Sequence, residues 1–442
     1  MSDLVSIPSK GLDHEEVLRR LEGFRSDDAD WKAGRTWSLV YYAGDEHYEL
    51  LKKAHALYFS ENGLNPVAFR SLKRMESQVV RMTAGMLSGG PQAVGTMTSG
   101  GTESLLLSIK AYRDRARHHK PWIRRPEIVA PKTIHAAVDK ACHYFGVRPR
   151  YAPIGEDFRA DPRAMRRLVN RNTVALYASA PQYPQGVVDP IEEIGELAME
   201  KGLPLHVDAC FGGFVLPWLE KAGYSIPRWD FRVPGVTSIS ADLHKYGFAA
   251  KGASSIVYRD MSYLRHQFFV STDWPGGIYI SAAMPGTRPG GPIAAAWAAL
   301  MAMGEDGYIE LSRKAMETAD RLREGVRQLP GLALAGDAHA PVVSWMADEE
   351  GLDVYAIADQ MVERGWEVGR QQHPACVHMT VNANQATVVD QYLSDLAESV
   401  AYVRDNPRAA RRGDAAVYGM MAKVPFRGLV KKSVLEVLEK MY

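Results

Sequence analysis

The chain has 442 residues and a mass of 49.0 kDa; 46% of it is hydrophobic and 24% charged, which supports a substantial core and lies outside the disordered classes. Its 53 basic and 52 acidic residues leave a formal charge of +1, and this argues against nucleic acid as a partner, because backbone-driven binding needs a clustered basic surface. The best apolar run, Ile293 to Met303, is about half the ~18–20 residues that a membrane-spanning helix requires, and no basic patch followed by an apolar stretch opens the chain, so a soluble, cytoplasmic protein is expected. Cys142, Cys210 and Cys376 lie far apart, with no Cys-x-x-Cys or Cys/His ligand spacing, which suits a reducing compartment and no metal site.

In chain order, residues 14–24 and 46–58 read as short amphipathic helices, the first carrying Val17, Leu18, Leu21 and Phe24 on one face. A longer helix is expected over 72–87. Then strands and helices alternate: strands at 127–130, 148–152, 173–179, 204–208, 236–240 and 254–258, with helices at about 134–145, 161–170 and 190–201. That alternation implies a mostly parallel sheet covered on both faces. From about 340 the grammar changes to strands at 341–346 and 376–381 and helices near 352–364 and 385–404, a smaller α+β unit. No linker or internal repeat divides the chain. The expected organisation is an N-terminal helical segment (1–60), a large α/β domain (61–312) and a small C-terminal α+β domain (313–442).

Five constellations carry chemistry. Thr98-Ser-Gly-Gly-Thr-Glu-Ser104 opens a helix: Gly100 and Gly101 let backbone N–H groups converge on an anion, with Ser99 and Thr102 as hydroxyl donors, although an ordinary N-cap would have the same sequence. Asp208, at the end of an apolar strand, lies where open α/β sheets place their ligands, and its burial calls for a cation or strong donors. In Ser238-Ile-Ser-Ala-Asp-Leu-His-Lys-Tyr246, Lys245 sits among His244, Tyr246 and apolar neighbours, where desolvation and nearby cations would lower its pKa and make it a nucleophilic amine. His135 opens the helix after a strand and would lie flat over a ring, or else face water. Arg288, in Pro285-Gly-Thr-Arg-Pro-Gly-Gly291, suits phosphate clamping, or a solvated turn.

The order of the set, with a glycine-rich anion loop, then an acid after one strand and His-Lys after another, resembles pyridoxal-phosphate enzymes of the aspartate aminotransferase fold type (fold type I). More narrowly, the chain resembles the sphingosine-1-phosphate lyases, in the group II decarboxylase-like branch. The likeness runs from Ile7-Pro-Ser-Lys-Gly11 through the motifs above to Phe268-Phe-Val-Ser-Thr-Asp-Trp274, Gly286-Thr-Arg-Pro-Gly-Gly291 and Val417-Tyr-Gly-Met420. The resemblance implies a carbon–carbon (aldehyde) lyase of the sphinganine-1-phosphate aldolase type, with pyridoxal 5'-phosphate bound covalently to Lys245. It implies that His135 stacks on the cofactor ring, Asp208 pairs with the ring nitrogen, and Gly101, Thr102, Ser240 and His244 hold the cofactor phosphate. Thr287 would reach in from the partner of a homodimer with shared sites. The substrate is expected to be a phosphorylated sphingoid base, its phosphate held by Tyr42 and Lys251, with Arg288 and Tyr183 also at the site.

Two departures touch only substrate-phosphate binding. The N-terminal segment reads Asn65-Pro-Val-Ala68 where relatives carry Asn-Pro-Leu-His, and Ala250 precedes Lys251 where relatives often carry proline. The competing activity is decarboxylation of an amino acid on the same cofactor. A different class is a catalytically inert relative that only binds. Residues 263–279 are expected to line a lipid-tail channel, to be buried, or to meet a second subunit.

Overall fold

A computed structural model describes residues 6–26, 28–423 and 427–439. The helices α1 (His14–Phe24), α2 (Asp45–Leu57) and α3 (Arg70–Met86) precede a seven-stranded sheet. Its strands are β1 (Val94–Thr98), β2 (Glu127–Pro131), β3 (Arg148–Ala152), β4 (Thr173–Ser179), β5 (Leu205–Asp208), β6 (Val236–Ala241) and β7 (Ser254–Tyr258), in the order β1-β7-β6-β5-β4-β2-β3. The helices α4 (Gly101–His119), α5 (Ala137–Phe145), α6 (Pro162–Leu168), α7 (Ile191–Lys201) and α8 (Leu216–Lys221) connect them. Strands β2 to β6 are parallel where they pair, and β2 and β4 to β7 are buried along their whole length, as continuous Val/Ile/Ala runs require in a sheet with two covered faces.

β7 alone runs against the rest, antiparallel to both β6 and β1. A parallel neighbour needs a crossover of a dozen or more residues, usually helical, and the segment between Ala241 and Ser254 folds no helix, so it returns the chain as an antiparallel partner. That connection carries Lys245. β1 had no strand signal in the sequence: it is five residues long with Gly95 inside it. The glycine is required by packing, since a Cβ there would lie 2.1 Å from the Ile256 carbonyl oxygen of β7.

After the short α9 (Met261–Leu264), the hairpin β8 (Phe269–Trp274) and β9 (Gly277–Ser281) stands off the main sheet. Phe269, Val270, Trp274, Ile278 and Ile280 on it are all exposed. The helix α10 (Gly290–Gln328) is kinked at Gly304, where φ is 60° and ψ 176°. Its first part packs Ile293, Ala295 and Ala299 into the large core, and Ala319, Leu322 and Val326 enter the small one. The small unit holds β10 (Leu332–Leu334), β11 (Val342–Ala347), α11 (Val354–Glu363), β12 (Gly369–Gln371), β13 (Cys376–Thr380), α12 (Val389–Asp405) and α13 (Gly413–Lys423), with an antiparallel sheet in the order β10-β11-β13-β12, and α14 (Arg427–Glu439) follows it in the chain.

Two expectations about the ends of the chain meet a different packing. The expected limit at 312 falls inside α10, because one helix serves both cores. The N-terminal segment is also not a separate layer: Trp37 sits in the small core, its ring 4.8 Å from Tyr392 and 5.8 Å from Trp366, and its carbonyl accepts from Thr380 N–H at 2.7 Å. The amphipathic α1 forms as expected, but Leu18, Leu21 and Phe24 remain exposed.

Candidate active site

The carboxyl ends of the parallel strands converge on one cavity of about 390 Å³. Thr98 ends β1 and leads into the Gly100-Gly101 turn; Pro131 ends β2 and leads to His135; Ser179 ends β4 and leads to Tyr183; Asp208 ends β5; Ala241 ends β6 and leads to His244 and Lys245. Ser99, Gly100, Gly101, Thr102, His135, Tyr183, Asp208, His244 and Lys245 all line this cavity, and Cys210 and Asp242 join them. Strand ends gather ligand groups in this way because every parallel strand points its last residues at the same crevice.

Lys245 is governed by a residue to which the sequence reading assigned no role. Its Nζ lies 3.0 Å from Asp242 Oδ2, three positions earlier, and His244 Nε2 is 3.5 Å from the same oxygen. Burial disfavours the ammonium, but the Asp242 carboxylate outweighs burial and holds Lys245 well above the ordinary lysine range. The expectation of a lowered Lys245 pKa is thereby corrected. Burial likewise penalises the Asp242 carboxylate, and Lys245, His244 and the Ser254 hydroxyl together hold it well below the usual carboxylate range. The lysine with the lowered pKa is Lys251, brought down to about 8 by burial and then by repulsion from Lys245.

Asp208 is buried at the end of β5, where its Oδ1 accepts the Cys210 N–H at 3.1 Å. His135 Nδ1 accepts from Ala137 N–H at 3.1 Å, which orients the ring at the start of α5, and Tyr183 stands edge-on to it with ring centroids 6.3 Å apart. Ser99 spends both donors locally: its N–H and hydroxyl each lie 2.7 Å from Glu103 Oε2, while Glu103 Oε1 accepts from Met284 N–H at 2.8 Å. The glycines permit close approach. A Cβ on Gly101 would lie 2.6 Å from Cys210 Sγ and 2.9 Å from Asp242 Oδ2, so only glycine lets the first turn of α4 pack against the Lys245 loop.

Several expected residues lie elsewhere. Ser240 is fully buried beneath the cavity, 3.2 Å from both His206 Nε2 and Cys210 Sγ, so its influence passes through Cys210. Lys251 lies outside the cavity lining and donates to the Leu39 and His244 carbonyls. Tyr42 turns outward against Trp31, with Lys32 5.6 Å from its ring; its neighbour Tyr41 takes the inward place, because successive residues of an extended segment face opposite sides. No periodicity in the segment Leu39–Ala43 distinguishes the two tyrosines. Thr287 meets Asn62 Nδ2 at 3.2 Å and does not line the cavity.

Arg288 is committed to a structural ion pair. Its Nη1 and Nη2 lie 2.7 and 3.1 Å from the two oxygens of the buried Glu76, and Nη2 also donates to the Gly63 carbonyl. An arginine already satisfied by a bidentate carboxylate has little charge left to offer a phosphate, which weighs against Arg288 as the expected clamp. Burial would raise the Glu76 carboxyl, and Arg288 more than offsets this and lowers it. Arg288→Ala should cost about 3 kcal/mol of stability above the ordinary carboxylate range, by stranding a buried charge. The loss should shrink as pH falls through the lowered pKa of Glu76, which thermal melts across acidic pH will show.

Pyridoxal phosphate suits these residues. The cavity offers an amine, a buried carboxylate and the N-terminus of a 19-residue helix, whose first-turn N–H groups lack intrahelical partners, approached through a glycine cradle that any Cβ would obstruct. Residues 46–347 match the family model described as the pyridoxal-dependent decarboxylase conserved domain. The chain is 42% identical to a sphingosine-1-phosphate lyase of Arabidopsis thaliana over 99% of this chain and 81% of that protein. It belongs to the sphingosine-1-phosphate lyase family. Sphingosine-1-phosphate lyase 1 of Rattus norvegicus is also 42% identical, over 99% of this chain and 77% of that protein. The structure of the Burkholderia pseudomallei K96243 sphingosine-1-phosphate lyase superposes with a TM-score of 0.87 at 39% identity, covering 96% of this chain and 98% of that one. The chain is a pyridoxal-phosphate enzyme of fold type I, with a mostly parallel large sheet and a smaller antiparallel one. Among the described residues no helix is long and apolar enough to cross a membrane.

Proposed function

We propose that this chain cleaves the C2–C3 bond of sphingosine 1-phosphate, or of a related phosphorylated long-chain base, to a fatty aldehyde and phosphoethanolamine. The observation that carries this reading is the sharing of one cavity by Lys245, Asp208 and His135 in a chain alike over nearly its whole length to sphingosine-1-phosphate lyases. Pyridoxal phosphate supplies an electron-withdrawing ring that stabilises the charge left at C2 when the bond breaks.

The chain's own residues set the conditions. Lys245 would hold the cofactor through its aldehyde, with the amine that lines the cavity. Asp208, fixed by the Cys210 N–H, is the acid for the ring nitrogen. Gly100, Gly101, Thr102 and His244, which line one cavity, would hold the cofactor phosphate, and Ser240 would support them through Cys210. His135 is the ring-facing group, with Tyr183 beside it. Lys251, with its pKa lowered to about 8, would meet the substrate phosphate, and holding that phosphate would align the C2–C3 bond. The base for the substrate's 3-hydroxyl is Lys245, Tyr183 or the substrate phosphate.

The protein acts as a homodimer in this reading, with Thr287 serving a second subunit's site. The uncovered apolar hairpin β8–β9, with Phe269, Trp274 and Ile278, and the uncovered face of α1 support a second copy as occupant. A cytoplasmic location belongs to the same proposal. The test is mass-spectrometric detection of hexadecenal and phosphoethanolamine from sphingosine 1-phosphate by the cofactor-loaded protein. Carbon dioxide from amino acids without aldehyde from the sphingoid phosphate would overturn it in favour of a decarboxylase.

A further inference from the structure

His206 stands on β5 two residues before Asp208, fully buried, and the proposed reaction gives it no part. Its Nδ1 lies 2.7 Å from Ser238 Oγ and its Nε2 3.2 Å from Ser240 Oγ. Both serines, themselves fully buried, belong to a longer chain. On one side Ser238 meets the Tyr112 hydroxyl, which lies 2.7 Å from Thr237 Oγ1, and Thr237 donates to the Leu205 carbonyl at 3.0 Å. On the other side Ser240 Oγ lies 3.2 Å from Cys210 Sγ.

One carbonyl sets the direction of every bond. The Leu205 oxygen only accepts, so it takes the single hydroxyl proton of Thr237; Tyr112 must then donate to Thr237, and Ser238 to Tyr112. Ser238 is left with only lone pairs for His206. The ring proton is therefore on Nδ1, Nε2 is bare, and Ser240 spends its own proton there. Burial brings the imidazole down to about 4 and keeps it neutral. What faces Cys210 is an oxygen that can accept from a thiol but has no proton to give a thiolate.

That matters because Cys210 and Lys245 line the same cavity. A thiolate there would compete for the cofactor aldehyde: its sulfur would bond to the aldehyde carbon and the carbonyl oxygen would take up a proton, leaving the cofactor on sulfur instead of nitrogen. Burial pushes the Cys210 thiol well above its usual range, in the direction the chain favours.

We infer that His206 is a positioning residue: as the Nδ1–H tautomer it ties up the Ser240 proton, holds the Cys210 thiol neutral and leaves the amine of Lys245 as the nucleophile offered to the cofactor aldehyde. The inference rests on Lys245 being the cofactor lysine. The charged groups around Cys210 are Asp208, Asp242 and Lys245, with His244 also on the cavity wall, and the changes below leave them all in place.

The test is the rate at which iodoacetamide alkylates Cys210 in the full cofactor-free chain at about pH 8, read by peptide mass spectrometry, with the buried Cys142 and Cys376 as markers of unfolding. H206F frees the Ser240 proton for the thiolate, so alkylation should be about tenfold faster, the size of one hydrogen bond to a charge. S238A lets the ring take the Nε2–H tautomer and donate to Ser240, and should speed alkylation about threefold. S240A removes the hydroxyl altogether and should stay within about twofold of wild type, although it loosens the same wall. An unchanged rate in H206F overturns the inference, as does a rate in S240A equal to that in H206F. Where H206F exposes Cys142 or Cys376 as well, S238A decides, and an unchanged rate there overturns it. Failure of the underlying reading looks different: the cofactor band would then persist in K245A.

Discussion

Lys245→Ala abolishes turnover, with a fall of at least about 10⁴-fold, and removes the absorbance band of the lysine-bound cofactor. The same change acts on the folded apoprotein, because Asp242 depends on Lys245 to stay charged while buried. Stranding that carboxylate costs about 3 kcal/mol at neutral pH. The sign with pH follows from the depressed Asp242 value. The pair's contribution is fully present above the ordinary carboxylate range and disappears as pH falls through the folded pKa, so wild-type and K245A melting temperatures converge in acid. Retained turnover in K245A would end the assignment of Lys245. Unchanged apoprotein stability at neutral pH would end that of the Asp242 pair.

Asp208→Asn lowers kcat by about 10²–10³-fold while leaving the cofactor attached to Lys245. Asparagine keeps the volume and a carbonyl oxygen in place of Oδ1, so the Cys210 N–H remains satisfied and the fold is spared. Only the charge at the end of β5 is lost, and with it the group proposed to pair with the cofactor's ring nitrogen. Steady-state kinetics with an absorbance spectrum of the same sample separates the two effects. A kcat within about threefold of wild type would show that Asp208 does not carry this charge, and loss of the cofactor band would show a binding role instead.

The two kinds of residue in this site differ in how a linear chain exposes them. Asp208, His135, Gly100 and Gly101 are legible because each follows an apolar strand or opens a helix, and a parallel sheet carries all such positions to one edge whatever the rest of the chain does. Asp242 stands three residues before Lys245, and its carboxylate reverses the sign that desolvation alone gives the lysine. Lys245 is a paired ammonium in the cofactor-free chain and Lys251 is the cation with the lowered pKa.

The inward place of Tyr41 had no local signature. It arises because β13 and the segment after Trp37 are pinned together, with Thr380 N–H donating to the Trp37 carbonyl across more than three hundred positions. Arg288 shows the converse. A basic residue in a glycine-rich turn looks like an anion clamp until the fold brings the buried Glu76 of α3 against it.

Periodicity and strand-end position are short-range properties written into neighbouring residues, and they determined most of the elements, the parallel sheet and the gathering of Lys245 and Asp208 at one cavity. Which tyrosine faces inward, which carboxylate neutralises which cation and which lysine loses its proton first depend on approaches between distant segments. Those energies are set by local desolvation and by separations of a few ångströms, which only the packed chain defines.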